Sequence, residues 1–318
     1  MPMNRRDFLK NSALSAAAIA APATLASLAQ GVAGPGPGAP ASDSPLIVDT
    51  NIHLFQWPFR HLKYGKTGAL VAKLRKHRVG QAWAGSYEAL LFKDMAGVNE
   101  RLAEECATKG GGLLTPVGSV NPLLPGWEED LRRCQETHRM KVIRLHPAYQ
   151  GYTLAQPEFS RLFQAATERG LLVQIALLME DERVQHPLFP APLVNPAPLV
   201  PLLNKLPQAR VQLLHGFAGM RLPRSRPLFD LPNVSVDISG IEGTGAVGSL
   251  IAGNLPANWF GGFVRGGPKM PVERLLFGSH APFFPVENAL LKCFESPLSR
   301  PQMQAIMAGN AQRLVPVA

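Results

Sequence analysis

The chain has 318 residues, 46% hydrophobic and 17% charged, with a formal net charge of +9 and three cysteines. The length suits one large core. The densest basic runs, Arg75-Lys76-His77-Arg78 and Arg221 to Arg226, carry no interleaved aromatics, which favours solvated faces and argues against a nucleic-acid surface.

At the N-terminus, Asn4-Arg5-Arg6-Asp7-Phe8-Leu9-Lys10 leads into an Ala-rich, uncharged stretch from Asn11 to Ala29. This is the layout of a twin-arginine export signal, although Asn4 stands where Ser or Thr is usual. The expected organisation is a signal over residues 1–33, a flexible linker over 34–44 that includes Gly34-Pro35-Gly36-Pro37-Gly38, and one domain over 45–318. It implies the twin-arginine export machinery as a partner and the periplasm as destination. After the signal no apolar run of about 20 residues occurs, which argues against a membrane span in the mature protein. Cys106, Cys134 and Cys293 are odd in number and lie in helical patterns, so they read as buried thiols.

From Pro45 onward short β-branched runs alternate with longer amphipathic ones. The predicted strands are Ile47 to His53, Val79 to Ala84, Leu113 to Val120, Val142 to His146, Leu171 to Leu177, Val211 to His215, Val234 to Ile238 and Leu275 to Ser279. Predicted helices include Thr67 to His77, Asp94 to Lys109, Trp127 to His138, Pro157 to Arg169 and Pro196 to Leu206. Such alternation predicts an α/β fold, a single (β/α)8 TIM barrel. A doubly wound open sheet shares the alternation, but no glycine-rich phosphate turn follows the first strand. The glycines of Gly240 to Gly267 predict a broken helix or an elaborated loop over the mouth.

In a barrel the strand ends converge on one mouth. They would deliver Asn51 and His53, His146, His215 and His280 to that face, and histidine is the commonest metal ligand and a general base near neutral pH. Arg144, two residues before His146, points the same way by the strand period, and burial would demand an anionic partner, Asp49 or a substrate carboxylate. Trp57, Tyr149 and Tyr152 are candidates for a substrate wall. Glu180 or Asp181, after the fifth strand, could add an oxygen ligand. No persuasive Gly-x-Ser-x-Gly nucleophile is present.

The order Asp49-Thr50-Asn51-Ile52-His53, Arg144-Leu145-His146-Pro147, Leu214-His215-Gly216, Gly278-Ser279-His280-Ala281-Pro282 and Gly309-Asn310-Ala311 resembles the amidohydrolase superfamily, in its branch of metal-dependent barrel hydrolases and decarboxylases. The resemblance implies a metal-bound water acting on a small carbonyl-containing substrate such as a lactone, amide or ester. It implies a divalent ion, zinc first, on His53, His215 and His280, with Asn51, His146 and Asp181 as further candidates. His215, His280 and Arg144 are the expected catalytic residues, and His146, Tyr149, Tyr152 and Trp57 the expected substrate contacts. The chain departs from the family pattern at Asn51 for the first histidine, at Ala176 or a neighbour for the fifth-strand ligand, and at His280 for the eighth-strand aspartate. A decarboxylase of the same branch, or a non-catalytic barrel with a degenerate site, are the competing expectations.

Overall fold

Eight short strands, most of whose residues are buried on both faces, form the centre of the molecule, the pattern of parallel strands covered by helices. The computed structural model describes residues 47–217, 223–256, 263–264 and 269–316. The expected signal and linker, and part of the glycine-rich stretch after Gly240, lie outside the described residues.

The strands are β1 (Ile47–Leu54), β2 (Val79–Ser86), β3 (Leu114–Pro116), β4 (Val142–Leu145), β5 (Leu172–Ala176), β6 (Arg210–Leu214), β7 (Val234–Asp237) and β8 (Leu275–Leu276). They pair in parallel as β1-β2-β3 and as β4-β5-β6-β7-β8. Backbone hydrogen bonds join the two sets at both seams. Gly118 N donates to Val142 O at 3.0 Å and Arg144 N to Gly118 O at 2.7 Å, linking the β3 side to β4. Thr50 N donates to Phe277 O at 2.9 Å, His280 N to Asn51 O at 2.7 Å and His53 N to Ala281 O at 2.9 Å, linking β1 to the β8 side. The ring is a TIM barrel, as the alternation predicted.

The outer layer includes α1 (Thr67–Lys76), α2 (Met95–Lys109), α3 (Trp127–Glu136), the single turn α4 (Pro147–Gln150), α5 (Pro157–Glu168), α6 (Leu199–Lys205), α7 (Ala246–Ile251) and α8 (Val286–Phe294). Each predicted helix is present, trimmed at its ends. Asp94 caps α2 through Gly97 N at 2.9 Å, and Gly170, at φ +66°, follows α5 in the left-handed conformation that stops a helix. The three cysteines are free and buried. No described helix is long and apolar enough to cross a membrane.

The barrel interior carries one polar layer. Thr50 Oγ1 donates to Phe277 O at 2.9 Å, Gln212 Nε2 to Thr50 Oγ1 at 2.7 Å, Gln174 Nε2 to Gln212 Oε1 at 2.8 Å, and Arg144 Nε to Gln174 Oε1 at 2.8 Å. The rest of the Arg144 fork reaches Ile52 O at 2.7 Å, His53 Nε2 at 3.0 Å, Thr50 O at 3.3 Å and Trp83 O at 3.2 Å. The guanidinium's five N–H groups are thereby matched by five acceptors, which is the condition for holding a buried cation. No carboxylate is among them. The expectation that Arg144 pairs with Asp49 or a substrate carboxylate is corrected: neutral oxygens and an imidazole satisfy it.

Gly85 on β2 makes this arrangement possible, since a Cβ there would stand 2.7 Å from Arg144 Nη1. The fork is pinned and cannot retreat without losing bonds. We expect Gly85→Ala to destabilise the fold by about 1–3 kcal/mol, measured by urea denaturation; an unchanged midpoint would contradict the packing described.

Candidate active site

Four imidazoles meet at the C-terminal ends of the strands. The ring centroids of His215 and His280 are 4.2 Å apart, those of His53 and His280 5.4 Å, and those of His53 and His146 6.0 Å. All four are buried. His215 follows β6 directly and His280 lies in the segment after β8; they sit at φ 53° and 60°, a left-handed conformation that costs a non-glycine residue about 1–3 kcal/mol. That turn brings both rings back over the barrel end. Strain of this kind, held by a surrounding network, is a mark of functional positions.

The network fixes the protons. Arg144 can only donate, so His53 Nε2 accepts and its proton lies on Nδ1. His280 Nε2 donates to Met179 O at 2.9 Å, which leaves its lone pair on Nδ1. Asn51 Nδ2 donates to His215 Nε2 at 3.2 Å, so His215 carries its proton on Nδ1 and gives it to Ser239 Oγ at 2.9 Å. Ser239 in turn donates to Asp237 Oδ2 at 2.8 Å, an oxygen that also accepts from Asn51 Nδ2 at 2.7 Å, while Asp237 Oδ1 receives the His215 backbone N–H at 2.9 Å. Asp237 and Ser239 were not singled out in the sequence. Gly278 leaves room for them: a Cβ there would be 2.7 Å from Asp237 Oδ2.

Burial, reinforced by the Arg144 charge, keeps the histidines neutral. It lowers His146 and His215 to about 3 and holds His53 and His280 well below the ordinary imidazole range. Burial also pushes Asp49 up to about 7 and raises Asp237. Among the described residues, His53 Nδ1, His280 Nδ1, both nitrogens of His146 and the Tyr149 hydroxyl face no protein partner. These are among the groups left for a ligand or water, with Asn51 Oδ1 beside them.

An aromatic wall covers the cluster. Tyr87 stacks on His53 at 4.6 Å, Phe283 on His280 at 4.8 Å, and Trp57 bridges them edge-on at 5.2 and 5.0 Å. Trp57 and Tyr149 belong to this wall, with Ala176 packed into it. Tyr152 does not: its buried ring stacks on Phe159 at 6.4 Å within the main core. Its expected substrate contact is corrected, because Gly151, at φ +79°, turns the chain after Tyr149. Asp181 is corrected as well, its carboxylate being held by its neighbour Arg183 at 2.6 Å and lowered to about 2 by that bond. Glu180 is the buried carboxylate instead, paired with Arg60 at 3.2 Å. A cavity of about 50 Å³ reaches the cluster, lined by His215, Ser239, Glu180, Glu242 and Phe284 among others. A larger one of about 760 Å³ lies between Phe55, Lys66, Tyr87 and Phe92, and none of the four histidines lines it.

The model of the Amidohydrolase family matches residues 48–317. The chain belongs to this family. It is similar in fold to the 5-carboxyvanillate decarboxylase of Sphingomonas paucimobilis, with a TM-score of 0.64 at 13% identity over 86% of this chain and 100% of that one. The 2,6-dihydroxybenzoate decarboxylase of Rhizobium aligns with a TM-score of 0.63 at 14% identity over 85% and 98%. The 5-carboxyvanillate decarboxylase of Novosphingobium aromaticivorans, solved with bound manganese, aligns with a TM-score of 0.61 at 15% identity over 86% and 97%. A search of curated proteins finds no match.

The donors of this chain do not fit a divalent ion. Among the described residues no three His, Cys, Asp or Glu side chains form a group able to hold one. Asn51 is a neutral amide, Ala176 has no donor, and the His53 Nε2 lone pair is turned onto Arg144. The zinc expected on His53, His215 and His280 therefore has no ready set of lone pairs.

The buried imidazoles also set a pH dependence. Between pH 3 and 6.5 the unfolded chain binds protons at His146 and His215 that the native state refuses, so stability is lost as pH falls through that window. Asp49 acts oppositely, since its native form holds a proton between its ordinary value of 3.8 and about 7. Asp237, raised as well, acts the same way as Asp49, and the four lowered histidines of the site outnumber these two carboxylates. We expect stability to fall on acidification below pH 6.5, and His146→Gln to flatten that slope by up to one proton, about 1.4 kcal/mol per pH unit. Urea unfolding at a series of pH values measures this; an unchanged slope would contradict it.

Proposed function

We propose that the protein is a hydrolase of a small carbonyl-containing substrate, a lactone, amide or ester, with His280 as general base. The observation that carries this reading is the lone pair of His280 Nδ1. Those of His53 and His215 are engaged by Arg144 and Asn51; His146 also has a free lone pair, but neither of its nitrogens is held, whereas His280 Nδ1 faces no protein partner and is aimed by its Nε2–H, anchored on Met179 O at 2.9 Å. The resemblance puts an aspartate at this place, and an imidazole can take over proton transfer.

His280 Nδ1 takes a proton from the water that attacks the carbonyl, and returns it to the leaving oxygen or nitrogen as the tetrahedral intermediate collapses. The His53 Nδ1–H, the Tyr149 hydroxyl and the N–H of His146 are among the donors available to the oxyanion. The aromatic wall keeps bulk water away. Arg144 has no N–H to offer and acts as a fixed charge beneath the site. The reading includes periplasmic delivery by the twin-arginine route, on the strength of Arg5-Arg6 and the apolar stretch that follows.

Decarboxylation is the second reading, favoured by the named activities of the structurally similar enzymes. There Arg60, whose guanidinium lies 4.5 Å from the Phe283 ring centroid, would hold a substrate carboxylate. A panel of lactones, esters, amides and aromatic carboxylates, followed for acid release and for carbon dioxide, separates the two. We expect acid release, lowered about 10²- to 10⁴-fold in kcat by His280→Ala and unchanged in Tyr152→Phe. Because His280 is held well below 6.5, kcat/KM should stay level as pH falls from about 8 to 5. An acid limb centred near 6.5, or turnover indifferent to His280→Ala, would refute the assignment.

A further inference from the structure

The barrel already contains a cation. Arg144 is fully buried beneath the four histidines, and every one of its five N–H groups is engaged, three acceptors being backbone carbonyls from β1 and β2. The fourth acceptor is Gln174, itself locked to Thr50 O at 2.9 Å and to Gln212, so the guanidinium cannot swing away. The fifth is His53 Nε2, whose lone pair is thereby withdrawn from any metal. The compensating carboxylates, Asp49 and Asp237, are buried and fixed by their own hydrogen bonds.

We propose that the Arg144 guanidinium stands in place of the divalent ion, so that the centre is metal-independent and Arg144 itself excludes metal from the histidines. Two features of the geometry act together. The guanidinium consumes the His53 lone pair, and its charge opposes a second cation at the same mouth, where low dielectric strengthens the repulsion. Burial is the main cause that keeps all four imidazoles neutral, and the Arg144 field adds to it. The positive potential that an ion would bring is thus supplied by a permanent side chain that cannot be lost to a chelator. The proposal does not depend on which bond the enzyme cleaves.

The test uses the full chain and the metal alone. Protein is incubated with Zn²⁺ or Mn²⁺, desalted and assayed for bound metal, and its Tm is followed with and without the ion. We expect no stoichiometric metal and no shift in Tm. A full equivalent of either ion that is lost in His53→Ala overturns the proposal. Arg144→Met frees His53 Nε2 and should bind Zn²⁺ about tenfold or more tightly than the wild type; a folded Arg144→Met with no gain also overturns it. If Arg144→Met does not fold, His280→Asp decides, because it restores a carboxylate while Arg144 stays. Continued failure to hold metal then supports exclusion by Arg144, and stoichiometric uptake overturns it.

Discussion

The burial of one guanidinium inside the barrel is the constraint on which the rest of the site depends. A charged group in that position is stable only if every donor is matched, and the match draws on β1, β2, β4 and β5 at once. The same bonds tie β1 to β4 across the barrel, set the tautomer of His53, and require a glycine at position 85. A residue whose type suggests substrate binding is here part of the frame. Its influence on chemistry is exerted through charge and through the imidazole it caps.

Above that layer the site is a set of neutral histidines with different duties. His53 is turned to donate, His280 to accept, and His215 is held between Asn51 and the Ser239–Asp237 pair. Burial keeps all of them uncharged, so the centre offers oriented hydrogen bonds and lone pairs in place of mobile charge. The left-handed backbone at His215 and His280 is the local cost of placing those rings, and hydrogen bonds from their backbone N–H groups to Asp237 and Asn51 hold it.

Much of this was legible in the sequence, for definite reasons. Short β-branched runs ending in histidine gave both the strands and the rings at their ends, because parallel strands place their last residues on one face. Arg144 misled because its partners are backbone carbonyls on β1 and β2 and an amide on β5, none of which has a signature in sequence. Tyr152 misled because the positive φ of Gly151 sends it into the core, three residues from a tyrosine that lines the site. Asp237 and Ser239 were overlooked, although Ser235, Asp237 and Ser239 alternate with apolar residues in Val234-Ser235-Val236-Asp237-Ile238-Ser239 and so share one face of β7 and its extension. A polar series on the inward side of a barrel strand was the available signal.

The chemistry of the site depends on which nitrogen of each histidine carries the proton. Long-range ¹H–¹⁵N correlation spectra of the imidazoles read this directly. The expected result is His53 and His215 protonated on Nδ1, His280 on Nε2, and none of the three titrating between about pH 5 and 8. Reversed tautomers at His53 or His280, or a titration midpoint near the ordinary histidine value, would contradict it.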